Sequence, residues 1–101
     1  MIAGFEWDPA KRELNLSKRG IDFARAIEIF DGVVTQRPDT RQHYGEPRIV
    51  ATGEWNGRVL TIVYTVVYTV RGAKLRIISA RRANDRETRA YRAIRPEEAP
   101  G

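Results

Sequence analysis

The stretch from residue 48 to residue 80 constrains the fold most strongly, because it contains three strand-like segments separated by two short turns. Asn56-Gly57 is a strong signal for a two-residue hairpin between the first two segments, and Arg71-Gly72 turns the chain between the second and the third. Consecutive strands joined by tight turns pair as antiparallel neighbours. We therefore predict an antiparallel sheet whose main strands are residues 48–55, 58–70 and 75–80.

The long middle strand contains an internal repeat, since residues 63–66 and residues 67–70 both read Val-Tyr-Thr-Val. An insertion of four residues leaves every later side chain on its original face, because side chains in a strand alternate with a period of two. It also lengthens the strand by about 13 Å and makes two registers nearly equivalent. We therefore predict a bulge, an overlong protruding hairpin, or strand exchange that would give a homodimer. An unbroken sheet with a short, tight hairpin would exclude all three.

A short strand and two helices are predicted before this sheet. Phe5-Glu6-Trp7 forms the strand. Asp8 and Pro9 begin the first helix, because Asp is a preferred N-cap and Pro suits the first turn. That helix ends at Gly20, which readily takes the left-handed conformation. Asp22 caps the second helix, whose apolar residues recur at helical spacing and predict a face toward the core: Phe23, Ala26, Ile27 and Phe30.

A third helix is predicted after the sheet. Asn84 is a suitable N-cap, and Glu87 three residues later completes a capping box. The helix ends before Pro96. Between the second helix and the sheet, a brief strand near residues 33–35 precedes a polar loop at residues 37–47.

The element order β-α-α-β-β-β-β-α predicts an α+β fold, in which helices lie on the faces of an antiparallel sheet. A chain of 101 residues forms one domain. We assign residues 1–95 to this domain and residues 96–101 to a frayed C-terminal tail.

Composition limits the partners that this chain can have. The 18 Lys and Arg residues, most of them arginine, outnumber the 13 Asp and Glu residues, and the net charge is +5. Arginine binds phosphate in a bidentate manner, so this excess indicates nucleic acid or an acidic protein as a partner. A genome rich in G and C, which encodes basic residues as arginine, is the alternative explanation. The absence of cysteine excludes disulfides and zinc–thiolate sites. No apolar segment is long enough to span a membrane, and no signal peptide is evident. We expect a cytoplasmic protein that does not bind membranes.

Two groups of basic residues are candidates for binding an anion. Lys11, Asn15 and Lys18 lie on one stripe of the first helix, where they either bind a phosphate or form a solvated face. Arg81 and Arg82 leave the last strand on opposite faces. Alternation along a regular strand places Arg76 on the same face as Arg82, and Ser79 on the same face as Arg81. Pairing of these arginines with acidic residues on neighbouring strands is the structural alternative.

Glu87 and Tyr91 lie four residues apart and share a face of the third helix. The capping box alone would explain Glu87, and Tyr91 could simply cover the sheet. His43 is the only histidine, which excludes a ribonuclease mechanism based on two histidines. The carboxylates are scattered without a pattern that would hold magnesium, and we predict no cofactor.

The chemistry open to such a residue set is narrow, and RNA suits it because RNA carries its own nucleophile, the 2′-hydroxyl. The protein must align that oxygen, accept its proton, neutralise the phosphate and protonate the leaving oxygen. Arginine can neutralise charge but stays protonated, whereas Lys or Tyr could move protons if positive neighbours lowered their pKa. We therefore expect fixed cations to converge in one pocket without a metal ion.

The sequence resembles BrnT-type toxins, which are RelE-like ribonucleases of bacterial type II toxin–antitoxin modules. The resemblance extends from residue 5 to about residue 92. It rests on Trp7-Asp8 with Lys11, on Asn15 with Lys18 and Gly20, and on Ile78-Ser79-Ala80-Arg81 with Glu87 and Tyr91. It implies a RelE-like fold, RNA cleavage, inhibition of translation and growth arrest. It also implies a cognate BrnA-like antitoxin with a ribbon-helix-helix domain, whose complex with the toxin binds promoter DNA.

The resemblance also implies roles for individual residues. Arg81 would hold the phosphate, and further arginines would bind RNA. The basic and phenolic members of the catalytic set would converge in one pocket: Lys11, Lys18, Arg81 and Tyr91. The catalytic set is Lys11, Lys18, Arg81, Glu87 and Tyr91, and the RNA-binding set is Arg19, Arg76, Arg82 and Arg89.

Two departures from the family pattern support an alternative. Arg19 stands where the family usually has a histidine before the glycine, and an arginine there supplies only charge. The Val-Tyr-Thr-Val repeat lies in the sheet that presents Arg81, where it could displace the site or block antitoxin docking. The alternative is a weak or inactive relative that binds an antitoxin or nucleic acid. A DNA-binding regulator acting alone fits less well, since no helix-turn-helix spacing is visible.

Overall fold

The computed structural model, which describes residues 2–40 and 45–94, contains one five-stranded sheet in the order β1-β5-β4-β3-β2. The strands are β1 Ile2–Trp7, β2 Val34–Pro38, β3 Ile49–Trp55, β4 Arg58–Thr69 and β5 Gly72–Arg82. Strands β2 to β5 pair in antiparallel fashion, whereas β1 runs parallel to β5. The predicted α+β fold is confirmed. The sheet is mixed because β1 leads into helices, and no tight turn forces it to run antiparallel to its neighbour.

The helices begin after the predicted caps Asp8, Asp22 and Asn84, and the first helix ends at the predicted glycine. Helix α1 spans Pro9–Arg19, with an Asp8 carboxylate accepting from the Ala10 amide at 2.9 Å and Gly20 at φ +71° after its last residue. Helix α2 spans Phe23–Ala26 and continues as a 3₁₀ helix over Ile27–Asp31, and helix α3 spans Asp85–Ile94. None of the helices in residues 2–40 and 45–94 could cross a membrane.

The second helix differs from the prediction in its period. The residues that it buries completely are Phe23, Ala26 and Ile29, whereas Ile27 and Phe30 are only partly buried. A 3₁₀ helix has three residues per turn, so positions three apart point in one direction. The tighter winding therefore points Ile29 into the core, whereas the predicted α-helix would have pointed Ile27 and Phe30 there.

The sheet has two distinct faces. We call the face covered by α2 and the 3₁₀ helix the first face, and its core includes Leu60, Ile62, Tyr64, Leu75, Ile77 and Ala80. Thr61 alternates with Leu60 and Ile62 and so lies on the opposite side, which we call the second face. Helix α3 packs on the second face, over β2 and β3.

A β-bulge in β5 resets the alternation of side chains along this strand. Tyr64 of β4 pairs with Ile77, but Val63 pairs with Ser79, so Ile78 is the extra residue. Arg76 consequently lies opposite Thr65, on the second face. The prediction that Arg76 and Arg82 share a face is therefore wrong, because it assumed a regular strand.

Beyond the bulge, the pairing of β5 with β4 places Arg81 opposite Thr61 and Arg82 opposite Leu60. Arg81 thus joins Arg76 and Ser79 on the second face, and Arg82 lies on the first face.

The hairpin between β4 and β5 is long. The β3–β4 turn at Asn56-Gly57 has φ values of +50° and +79°, as a two-residue hairpin requires, and pairing of β3 with β4 ends at Tyr64. Beyond that point β4 continues with β5 alone to Thr69, which pairs with Gly72. The predicted overlong hairpin is present, whereas the bulge adds its extra residue to β5 and not to the strand that carries the repeat. Strand exchange between chains stays a prediction, and His43 lies outside the described residues.

Candidate active site

The last residues of β5 and the first turn of α3 build an ion pair on the second face. The Arg81 guanidinium donates twice to the Glu87 carboxylate, at 2.6 and 2.9 Å. The predicted capping box is confirmed, because Asn84 N donates to Glu87 at 3.0 Å and Glu87 N donates to the Asn84 side chain at 2.7 Å. The helix start thus fixes the carboxylate, and the carboxylate fixes the plane of the guanidinium.

Two further groups contact the same carboxylate. The Thr61 hydroxyl donates to it at 3.3 Å, and the Arg37 guanidinium lies 3.4 Å from it. The Glu87 side chain is only 10% exposed. The hydrogen bonds from Arg81, together with the Asn84 amide and the nearby positive charge, outweigh burial and lower the pKa of Glu87 to about 2. Glu87 is therefore ionised at neutral pH and is a weak base.

A cavity of about 690 Å³ opens beside this cluster. Arg37, Arg81 and Arg86 contribute three guanidinium groups to its lining, against the single carboxylate of Glu87. The remaining lining residues are Thr35, Gln36, Val50, Thr52, Asn84, Ala90 and Ile94. Because the charges around it sum to a positive value, the cavity suits an anion with several oxygen acceptors.

Arg37 was missing from the residues predicted from the sequence. It pairs with Val50 in a strand that extends to Pro38, beyond the brief strand predicted near residues 33–35. If the predicted strand had been continued to residue 37, the period of two would have placed Arg37 on the same face as Thr35. The polar composition of residues 37–47 instead predicted a loop at this position.

A second cavity, of about 320 Å³, lies where β1 ends beside β5. Its lining brings Lys11 and Arg76 together with the acids Asp8 and Glu46, along with Ile77 and Ile78 at the bulge. Arg76 also donates to Glu6 at 2.8 Å. The mixed charges of this cavity make it a weaker anion site than the larger one.

The stripe on α1 has a structural residue at its centre. Asn15 is buried, donates to the Ile21 carbonyl at 2.8 Å and accepts from the Ala80 amide at 3.2 Å. It thereby joins α1 to the part of β5 that β1 leaves unpaired. Lys18 and Arg19 are exposed in the last turn of α1 and line neither cavity.

Tyr91 is 2% exposed, and its hydroxyl donates to the Val33 carbonyl at 2.9 Å. Arg82 and Arg89 are exposed, on the first face and on α3 respectively. The structure therefore unites Arg81 with Glu87 in one cavity and Lys11 with Arg76 in another.

The expected convergence of four residues in one pocket is not observed: Lys11, Lys18, Arg81 and Tyr91 occupy separate positions. Within residues 2–40 and 45–94, no group of three or more His, Cys, Asp or Glu side chains is arranged to hold a metal ion.

Comparison with known proteins identifies the family. Residues 7–87 match the family model described as ribonuclease toxin, BrnT, of type II toxin–antitoxin system. The crystal structure of the Brucella abortus ribonuclease toxin BrnT superposes with a TM-score of 0.62 at 29% sequence identity, covering 84% of this chain and all of that one. No curated protein matched the chain. The family model spans most of the sequence, so this chain belongs to the BrnT family of ribonuclease toxins of type II toxin–antitoxin systems.

Proposed function

We propose that this chain is an endoribonuclease that cleaves RNA in the cytoplasm, inhibits translation and arrests growth until a cognate antitoxin neutralises it. The observation that carries the proposal is the cavity on the second face, which is lined by three arginines and one fixed carboxylate. A phosphodiester is an anion that several guanidinium donors can bind at once.

The proposed reaction is an internal transesterification. The 2′-oxygen of a ribose attacks the adjacent phosphorus, the bond to the 5′-oxygen breaks, and the products are a 2′,3′-cyclic phosphate and a 5′-hydroxyl. The 2′-hydroxyl gives up a proton and the departing 5′-oxygen gains one, so the reaction needs no redox partner. Negative charge builds up on the phosphoryl oxygens in the transition state. A guanidinium that is already fixed in place beside the bound phosphate, as we propose for Arg81, contributes roughly 10²–10³ in rate.

Glu87 serves in this scheme as a positioning residue. Its two short hydrogen bonds hold Arg81 in one plane, and its pKa of about 2 makes it a poor acceptor for the 2′-hydroxyl proton. Described residues around the cavity thus supply charge and orientation. In this scheme, solvent or groups of the substrate accept the 2′-hydroxyl proton and donate a proton to the departing 5′-oxygen.

Arg76 extends the binding surface in this proposal. It shares the second face with Arg81 and precedes it by five residues, one of which is taken up by the bulge. Four extended steps separate the two side chains by roughly 13 Å, so one RNA strand would contact them through different phosphates. Lys11 lies beside Arg76 and reinforces this second contact.

The family implies a cognate antitoxin. We propose a BrnA-like protein whose ribbon-helix-helix domain binds promoter DNA while the rest of the antitoxin covers the basic cavity. Binding of the two proteins would then stop RNA cleavage and repress transcription together.

The test is incubation of the purified chain with RNA in EDTA, with and without antitoxin. Wild type should cleave, the antitoxin should stop cleavage, and Arg81→Ala should reduce the rate by about 10²–10³. Arg25→Ala is the matched control, because Arg25 is an exposed arginine on α2 away from both cavities. Intact RNA with wild type, or equal cleavage by Arg81→Ala, would refute the proposal, and loss of cleavage in EDTA alone would refute the metal-free mechanism.

Binding without cleavage is the second candidate function. It is favoured by Arg19 in place of the usual histidine and by the weak basicity of Glu87. This candidate predicts RNA binding that weakens steeply with salt and no cyclic phosphate product. Analysis of RNA termini in the same assay separates the two functions.

A further inference from the structure

The end of β4 forms an open and apolar edge of the sheet. Pairing with β3 stops at Tyr64, and on that side no strand in the described part of the chain accompanies Val66 to Thr69. The backbone groups that point to this side therefore have no partner strand within residues 2–40 and 45–94, and such unpaired groups can pair with a strand of another chain. The edge is a product of the repeat, since residues 67–70 are its second copy.

The side chains at this edge are apolar on the first face. Val66 packs partly against the core, and Tyr68 is 84% exposed. Val70, which begins the turn, is fully exposed. The segment from Val66 to Val70 carries no charge. Proteins often protect an exposed edge with a charge or a proline, and residues 66–70 contain neither.

We propose that a second copy of this chain pairs with this edge, in antiparallel orientation, to form a two-fold symmetric homodimer. The β4 strands of the two copies would become neighbours, and the sheet would continue from one copy into the other. An isologous contact of this kind needs one patch that complements itself, and a neutral, apolar strand edge does so.

The positions already occupied on β4 select one register. Tyr64 is paired with Ile49 and the Thr65 hydroxyl donates to Pro47 at 2.7 Å, so pairing begins at Val66. A two-fold axis at Tyr68 pairs Val67 with Thr69 and leaves Thr65 uninvolved, and it sets Val66 opposite Val70, the first residue of the turn. It places Tyr68 of one copy against Tyr68 of the other, so that two exposed aromatic side chains meet on one face.

Charge favours a second copy in this orientation. Arg71, in the turn at the tip, is the nearest cation that follows the neutral segment. Antiparallel pairing about Tyr68 separates the two Arg71 side chains by six strand positions, about 20 Å, which exceeds the screening length of about 8 Å at physiological salt. Parallel pairing would set the same cations side by side.

The expected dimer is dependent on concentration. The paired segment is short, which places the buried area among small, transient interfaces, below about 1,200 Å² in total. Sedimentation or light scattering of the purified full-length chain over a wide concentration range should therefore show a monomer–dimer equilibrium.

Substitutions at Tyr68 test both the interface and its register. Tyr68→Lys should raise the dimer dissociation constant at least about tenfold, because two ammonium groups would lie opposite each other. Tyr68→Glu should do the same, and a mixture of the two variants should dimerise again because opposite charges would then meet. Leu14→Lys is the matched control, since it charges an exposed apolar residue on α1 and should leave dimerisation unchanged.

Several outcomes would overturn the proposal. It fails if wild type stays monomeric throughout, if Tyr68→Lys dimerises as wild type does, or if the mixture of charge variants stays monomeric. Protection of the Val66–Thr69 amides from hydrogen exchange only after antitoxin is added would assign the edge to the antitoxin strand instead. Retained circular dichroism of Tyr68→Lys shows that the variant is folded.

Discussion

Removing the charge of Glu87 tests whether its carboxylate stabilises the fold by pairing with the arginines of the second face. In Glu87→Gln, the amide keeps an oxygen that can accept from the Asn84 amide, but the ionic partner of Arg81 is lost. Arg81 is 26% exposed, so its guanidinium would be left partly buried without a counter-charge. We expect the variant to be less stable than wild type at neutral pH by about 2–3 kcal/mol.

The pKa of Glu87 gives this difference a defined dependence on pH. Hydrogen bonds from Arg81 lower it from 4.5 to about 2 in the folded chain. A carboxylate whose pKa is lower in the folded state contributes stability above its unfolded pKa and loses it as pH falls through its folded pKa. The shift corresponds to an upper bound of about 3 kcal/mol. Stability from Glu87 should therefore be complete above pH 4.5 and lost progressively toward pH 2.

Urea denaturation of wild type, Glu87→Gln and a control at a series of pH values measures this directly. Glu13→Gln is the control, because Glu13 is an exposed carboxylate on α1. The stability curves of wild type and Glu87→Gln should converge as pH falls from 4.5 toward 2, while the control follows wild type. A difference that stays constant over this range would refute the reasoning, since it would show that shape or packing, and not charge, accounts for the loss.

Three further variants probe other parts of the molecule. Asn15→Ala should lower the free energy of unfolding by about 2–4 kcal/mol in urea, because the carbonyl and amide that it joins would lose a buried partner. Gly53→Ala should lower it by about 1–3 kcal/mol, since the new Cβ would lie 2.8 Å from Ile29 Cβ and 2.9 Å from Val34 Cγ1. Arg76→Ala should weaken RNA binding and reduce the slope of log K against log salt by about one, measured by fluorescence anisotropy.

Local signals in the sequence were sufficient to predict the ends of elements. Asp8 and Gly20 set the limits of α1, and Asn56-Gly57 set the first hairpin, because each of these residues acts on its own backbone or its immediate neighbours. The capping box of Asn84 and Glu87 was predictable for the same reason.

Features that depend on distant partners were not predictable in this way. The parallel pairing of β1 depends on a strand some seventy residues later, and the bulge at Ile78 depends on how β5 matches β4. Arg37 joined the site only because β2 pairs with β3 up to Pro38. In each case a contact between remote segments, and no local preference, decides which side chains meet.

The position of the repeat relative to the site shows that the two are separable. Arg81 is held by its pairing with Thr61 and by Glu87, which itself contacts Thr61, and these contacts lie on the opposite side of the bulge from the repeated residues 67–70. Because side chains in a strand alternate with a period of two, an insertion of four residues leaves every later side chain on its original face. It therefore lengthens the β4–β5 hairpin without turning Arg81 to the other face. Deletion of residues 67–70 should therefore abolish self-association and leave the rate of RNA cleavage at the wild-type value. A deletion variant that folds but loses cleavage would show instead that the extended hairpin contributes to the site.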